Sequence, residues 1–125
     1  MRRRLAHFED KAWVRLAPRV LGKRSGYRSH SMPLKAERVN GFLHFYDEAA
    51  CIGMARLDGD VLAHLIVAPA RRTTLEGAEL LMICRSLGAA RAPALDVGTA
   101  EYLMLHGWRA TGERDHRDAP VFSAP

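Results

Sequence analysis

The feature that most constrains this chain is the apolar run Val61-Leu62-Ala63-His64-Leu65-Ile66-Val67, which Pro69 halts and a helical pattern follows. A run of this kind reads as a central strand covered on both faces. Over Gly77 to Leu87 the side chains of Leu80, Leu81, Cys84 and Leu87 fall on one helical face, and Gly88 is a natural stop. Strand, short loop and helix thus follow one another directly, and the rest of the chain must supply the sheet on which that helix packs.

Upstream, Gly41-Phe42-Leu43-His44-Phe45-Tyr46 is rich in strand formers, and Asp47-Glu48-Ala49-Ala50 makes a tight connection into Cys51 to Leu57, forming a hairpin. Asp58-Gly59-Asp60 is a second turn leading into the central run. Downstream, Ala94-Leu95-Asp96-Val97 reads as a short strand, Thr99 to His106 as a helix ended by Gly107, and Trp108 to Arg114 with Pro120-Val121-Phe122 as a closing hairpin. Before residue 41 the pattern is weaker. Arg4 to Phe8 alternates like an edge strand, and Ala12, Trp13, Leu16, Val20 and Leu21 recur at helical spacing interrupted by Pro18. Gly22 to Asn40 reads as a loop with one short helix near Leu34 to Val39. Meander, helix, strand, helix, hairpin predicts a mixed α/β fold in one domain spanning residues 1 to 125, the length a single core suits.

Nowhere do about 18 apolar residues run without a charge. Met1-Arg2-Arg3-Arg4-Leu5 is not followed by a signal-peptide stretch, so the expectation is a cytoplasmic protein with no membrane contact. Cys51 and Cys84 lack the spacing of a disulfide framework or a zinc site. The formal charge of +5 is unevenly held: residues 1 to 40 carry eleven Lys or Arg against three acids (+8), and the remainder eight against eleven (−3), which sum to +5. The positive excess therefore belongs to the first third, a surface suited to phosphates, an acidic protein face or an anionic ligand.

The stretch from Leu65 to Leu81 carries the chemistry. A strand leads into a short loop and a helix whose first turn has unpaired backbone N–H groups, suited to an anion such as a pyrophosphate. Val67, Pro69, Arg72, Gly77, Leu80 and Leu81 fall without a gap on a signature, and by it the sequence resembles the GNAT superfamily of N-acetyltransferases. Ile52-Gly53 upstream and His106-Gly107-Trp108 downstream extend the likeness over residues 41 to 112. The resemblance implies a mostly antiparallel, splayed sheet flanked by helices, with acetyl-coenzyme A between two central strands. It implies that backbone groups near Val67 contact the acetyl and pantetheine part. Arg71 and Arg72 with the backbone of Thr73, Thr74, Leu75, Gly77 and Ala78 would receive the pyrophosphate. Transfer to an amine, on a small molecule or a protein, would need a base for the amine and an acid for the departing thiolate.

Four positions depart from the family pattern. Leu75 stands where the first glycine of the loop is expected, and Glu76 where a small apolar residue is usual. Thr73-Thr74-Leu75-Glu76 reads as a capping box in which Thr73 and Glu76 satisfy the helix amides themselves. Leu103 occupies the position of the family's frequent catalytic tyrosine, with Tyr102 about 100° away around the helix. Val61 occupies that of a common glutamate base, leaving Asp60 and His64 as the nearest substitutes and Tyr102 as the acid. His64 also reads as a core histidine, Tyr46 and Tyr102 as packing residues with a bonded hydroxyl, and Cys84 and Trp108 as core. Two functions follow. One is an acetyl-coenzyme A dependent N-acetyltransferase. The other is a GNAT-fold module without catalysis, binding an acidic protein or a larger assembly through residues 1 to 40. A nucleic-acid binder lacks any helix-turn-helix, zinc or aromatic-platform pattern.

Overall fold

The computed structural model describes residues 13–14, 34–48 and 50–125. Its strands are β1 (Trp13–Val14), β2 (Lys35–Val39), β3 (Phe42–Asp47), β4 (Ala50–Asp58), β5 (Val61–Val67), β6 (Arg91–Pro93), β7 (Arg109–Arg114) and β8 (Pro120–Ser123). A short 3-10 turn, Pro69–Arg71, and helix α1 (Leu75–Ser86) connect β5 to β6, and helix α2 (Val97–Leu105) connects β6 to β7. The strands form one sheet in the order β1-β2-β3-β4-β5-β6-β8-β7, antiparallel at every step except β5 to β6. The fold is therefore α+β, built on a mostly antiparallel sheet.

Several sequence expectations need correction. Lys35–Val39 is a strand and not a helix, because Val39 pairs with Phe42 across the two-residue turn Asn40-Gly41. Both turn residues have positive φ (50° and 83°), which an Asn-Gly pair accepts and which matches the twist of the flanking strands. Trp13–Val14, read above as part of a helix, pairs antiparallel with β2. The strand expected at Ala94 to Val97 lies earlier, at Arg91–Pro93. Asp96 instead caps α2, its side chain accepting from the Thr99 amide at 2.7 Å. The remainder of the first 33 residues, including the Arg4 to Phe8 strand and the basic surface, lies outside the described residues.

Cross-strand register sorts the sheet into two faces. Leu43, Ala55 and Leu65 form one row and Phe45, Gly53 and Val67 the next, all on one face. Helix α1 packs there through Leu80, whose Cδ1 approaches Gly53 so closely that an added Cβ would sit 2.8 Å from it. Leu62, Leu80, Ile83, Cys84, Tyr102, Leu103, Trp108 and Phe122 complete a continuous core. Burial pushes the Cys84 thiol up to about 12, so it stays protonated and inert at neutral pH. The other face carries His44, Met54 and Ile66. Ile66 is 61% exposed, so β5 is not covered on both faces at its C-terminal end.

Candidate functional site

The two edges of β5 are treated differently. On the β4 side the Ala68 amide donates to the Ile52 carbonyl, so residues 64, 66 and 68 turn their backbone groups toward β4 and residues 65 and 67 turn theirs away. On the β6 side a single bridge joins the strands, Val61 to Arg91, with the Arg91 amide donating to the Asp60 carbonyl. The next rung of a parallel ladder would require an N–H at residue 93, facing the Leu62 carbonyl. That residue is Pro93, which has none. Opposite Arg56 and Leu57, β5 also holds one extra residue, Ala63, a bulge that bends the strand. Proline and bulge together end the pairing, and the strands part.

The resulting wedge runs about 13 Å along β5 from Ala63 to Val67. Two arginines close its ends. Arg72 Nε donates to the Val67 carbonyl at 3.2 Å, and Arg117 Nη2, from the turn between β7 and β8, donates to the Ala63 carbonyl at 3.3 Å. Between them the Leu65 N–H and C=O and the Val67 N–H have no strand partner among the described residues. Beyond the end of β6 the chain continues through Leu95 to Val97, the first residue of α2. Both are exposed, at 53% and 71%. An unpaired backbone edge suits an extended ligand that carries its own amides.

The loop at the Val67 end is held from within. The amides of Arg71, Arg72 and Thr74 donate to Ala68, Pro69 and Arg71 carbonyls, and that of Ala78 to the Thr74 carbonyl. The helix cap is Thr74, whose hydroxyl accepts from the Gly77 amide at 3.3 Å and donates to the Arg71 carbonyl. This corrects the capping box: Thr73 lies one residue outside it, and Glu76 is the second helical residue, where a carboxylate suits the helix dipole. Gly77 is required because a Cβ there would run into the Arg71 carbonyl. For a pyrophosphate, the amides of Thr73, Leu75 and Glu76 remain without an acceptor among the described residues. The Arg71 guanidinium is ion-paired to Asp47, and the Arg72 guanidinium lies against Gly98 beside Asp96.

The proton-carrier candidates separate. Tyr102 is buried and its hydroxyl donates to the Gly77 carbonyl at 2.6 Å, with desolvation raising its pKa far above the ordinary tyrosine value. His106, whose ring meets Tyr102 edge-on, bonds the Arg72 carbonyl through Nε2 at 2.8 Å. Asp60 lies at the opposite end of β5, about 23 Å along the strand from Val67, with its carbonyl receiving the Ala90 and Arg91 amides. His64 adjoins the bulge, its ring beside Phe42 and its buried Nδ1 without a hydrogen-bond partner among the described residues. Val67, Arg72, Gly77, Tyr102 and His106 thus meet at one end of the wedge, and Arg117 stands at the other; the His64 ring leans toward Phe42 on the β4 side of β5. Arg117 and Pro93 escaped the sequence reading; only a proline at the end of a strand signalled the second. No protein-family model, curated protein or solved structure matches the chain. No helix among the described residues is long and apolar enough to cross a membrane.

Proposed function

We propose that the chain is an acyl-coenzyme A dependent N-acyltransferase of the GNAT type, moving an acetyl group onto an amine. The observation that supports this reading most is the unpaired edge of β5, flanked by the bulge at Ala63 and by the start of α1. A mostly antiparallel sheet flanked by helices is common to the structure and to what the resemblance implies. The coenzyme would supply an acyl carbonyl activated as a thioester. Leu65 and Val67 would hold its amide-bearing arm by backbone pairing, and Arg71 with the amides of Thr73, Leu75 and Glu76 would face its phosphates. His64 is the one of the three proton-carrier candidates that adjoins the bulge and has an Nδ1 without a partner among the described residues, and it would accept the amine proton. With Cys51 and Cys84 not joined in a disulfide, a reducing compartment such as the cytoplasm is the setting of this reading.

A second reading is favoured by the loop itself, since the amides of Arg72, Thr74 and Gly77 already have acceptors within the chain. A GNAT-fold module without catalysis would keep the wedge and bind no coenzyme, contacting an acidic partner through residues 1 to 40. Calorimetric titration with acetyl-coenzyme A, followed by amide exchange, separates the two. Binding that slows exchange at Leu65 and Val67 while leaving Ile66 unchanged supports the enzyme. Absence of heat and of any exchange change at millimolar coenzyme sinks it.

A further inference from the structure

The Ala63 end of the wedge carries a cation that the acyl-transfer reading leaves without a role. Arg117 is oriented by three hydrogen bonds: Nε and Nη2 donate to Asp115 Oδ2 at 3.1 and 3.0 Å, and Nη2 donates again to the Ala63 carbonyl. Asp115 is itself fixed by the Arg117 and Ala119 amides, both 2.9 Å from Oδ1. A guanidinium has five N–H donors, and these contacts use the three on Nε and Nη2. The two on Nη1 have no acceptor among the described residues, on a side chain that is 31% exposed. A planar cation oriented by a carboxylate behind it, with an open pair of donors beside the bulge, is pre-organised for a second anion. The Asp115 charge nearby disfavours a dianion and leaves a singly charged carboxylate as the better fit.

We propose that Arg117 Nη1 binds a carboxylate presented at the Ala63 end of the wedge, so that one of the two reactants is a carboxylic acid. This rests on the acyl-transfer reading. The carboxylate belongs either to the acyl group, as in the half-ester of a dicarboxylic acid, or to the acceptor, as in an α-amino acid.

Steady-state transfer by the full chain tests both sources. One arm compares succinyl- with butyryl-coenzyme A. The other compares α-amino acids with their decarboxylated amines, using acetyl-coenzyme A. The expected result is a preference for the carboxylate in one arm of about tenfold or more in kcat/KM. Arg117→Met should abolish it and Arg117→Lys should retain part of it, with circular dichroism melts confirming that both variants fold. Transfer with no carboxylate preference in either arm overturns the subsite and leaves the acyltransferase standing. A wild-type preference that survives in a folded Arg117→Met protein does the same. Failure of every thioester to bind overturns the acyltransferase reading, and the subsite falls with it.

Discussion

One edge of β5 is zipped to β4 from Gly53 to Asp58, while the other holds β6 by a single bridge at Val61. The side chains are common to both edges, so hydrophobicity does not make the difference. It arises from one missing N–H at Pro93 and one extra residue at Ala63. A sheet is opened or closed by backbone hydrogen bonding, whereas its faces are chosen by side chains.

The largest expected effect lies on the shared core. Leu62 is fully buried, and Leu62→Ala should cost about 2–5 kcal/mol in chemical denaturation. Ile66→Ala, on the same strand but exposed, should stay within about 0.5 kcal/mol. Comparable losses at the two positions would mean that the face of β5 bearing Ile66 is packed after all. On the zipped side, Gly53→Ala should cost about 1–3 kcal/mol, because a Cβ there meets both Leu80 and, at 2.9 Å, the Ile66 carbonyl. A neutral outcome would show that α1 can withdraw from the sheet.

Opening or closing the wedge tests the comparison directly. Pro93→Ala restores an N–H facing the Leu62 carbonyl and should lengthen the β5–β6 ladder by one rung. A gain near 1 kcal/mol is expected, with slower amide exchange at residue 93 and weaker binding of any wedge ligand. An amide at residue 93 that exchanges as fast as an exposed loop would show that the Ala63 bulge alone keeps the strands apart.

The core face was legible in the sequence, whereas the exposed face of β5 at Ile66 and the strand edges were not. The runs of strand formers at 42–46 and 61–67 and the α1 stripe at Leu80, Leu81 and Cys84 located strands, helix and core, because burial selects apolar residue types. Lys35–Val39 was misread because its polar residues hide a strand whose signal was the Asn-Gly turn just beyond it. The cap of α1 moved by one residue because Thr73 and Thr74 are chemically alike and only backbone geometry chooses between them. Arg117 lies more than fifty residues from Ala63 in sequence, and no local pattern connects the two. Val67, Arg72 and Gly77 were singled out by motif, and the motif did not reveal that Arg72 Nε bonds the Val67 carbonyl.

The smallest expected effect concerns the two ends of the open edge. Each arginine that caps it has an aspartate nearby: Asp115 bonded to Arg117, and Asp96 within electrostatic reach of Arg72. Both carboxyls are held below the ordinary carboxylate value of 3.8, Asp96 chiefly by the Thr99 amide and Asp115 chiefly by the Ala119 amide, with the arginine charges adding to each. A folded-state pKa below the unfolded one means that the ionised form favours the fold. The contribution is present above about pH 4 and is lost as pH falls through the folded-state values. Thermal melts between about pH 6 and pH 2.5 should therefore show a modest decline confined to the acid end. Asp96→Asn keeps an acceptor for the Thr99 amide but removes the charge, and should flatten part of that decline. It should also speed exchange of the amides around Val67, where Arg72 is anchored, more than those around Ala63. An unchanged acid slope in Asp96→Asn would place the loss elsewhere, and equal effects at both ends would show that the arginines do not act as separate clasps.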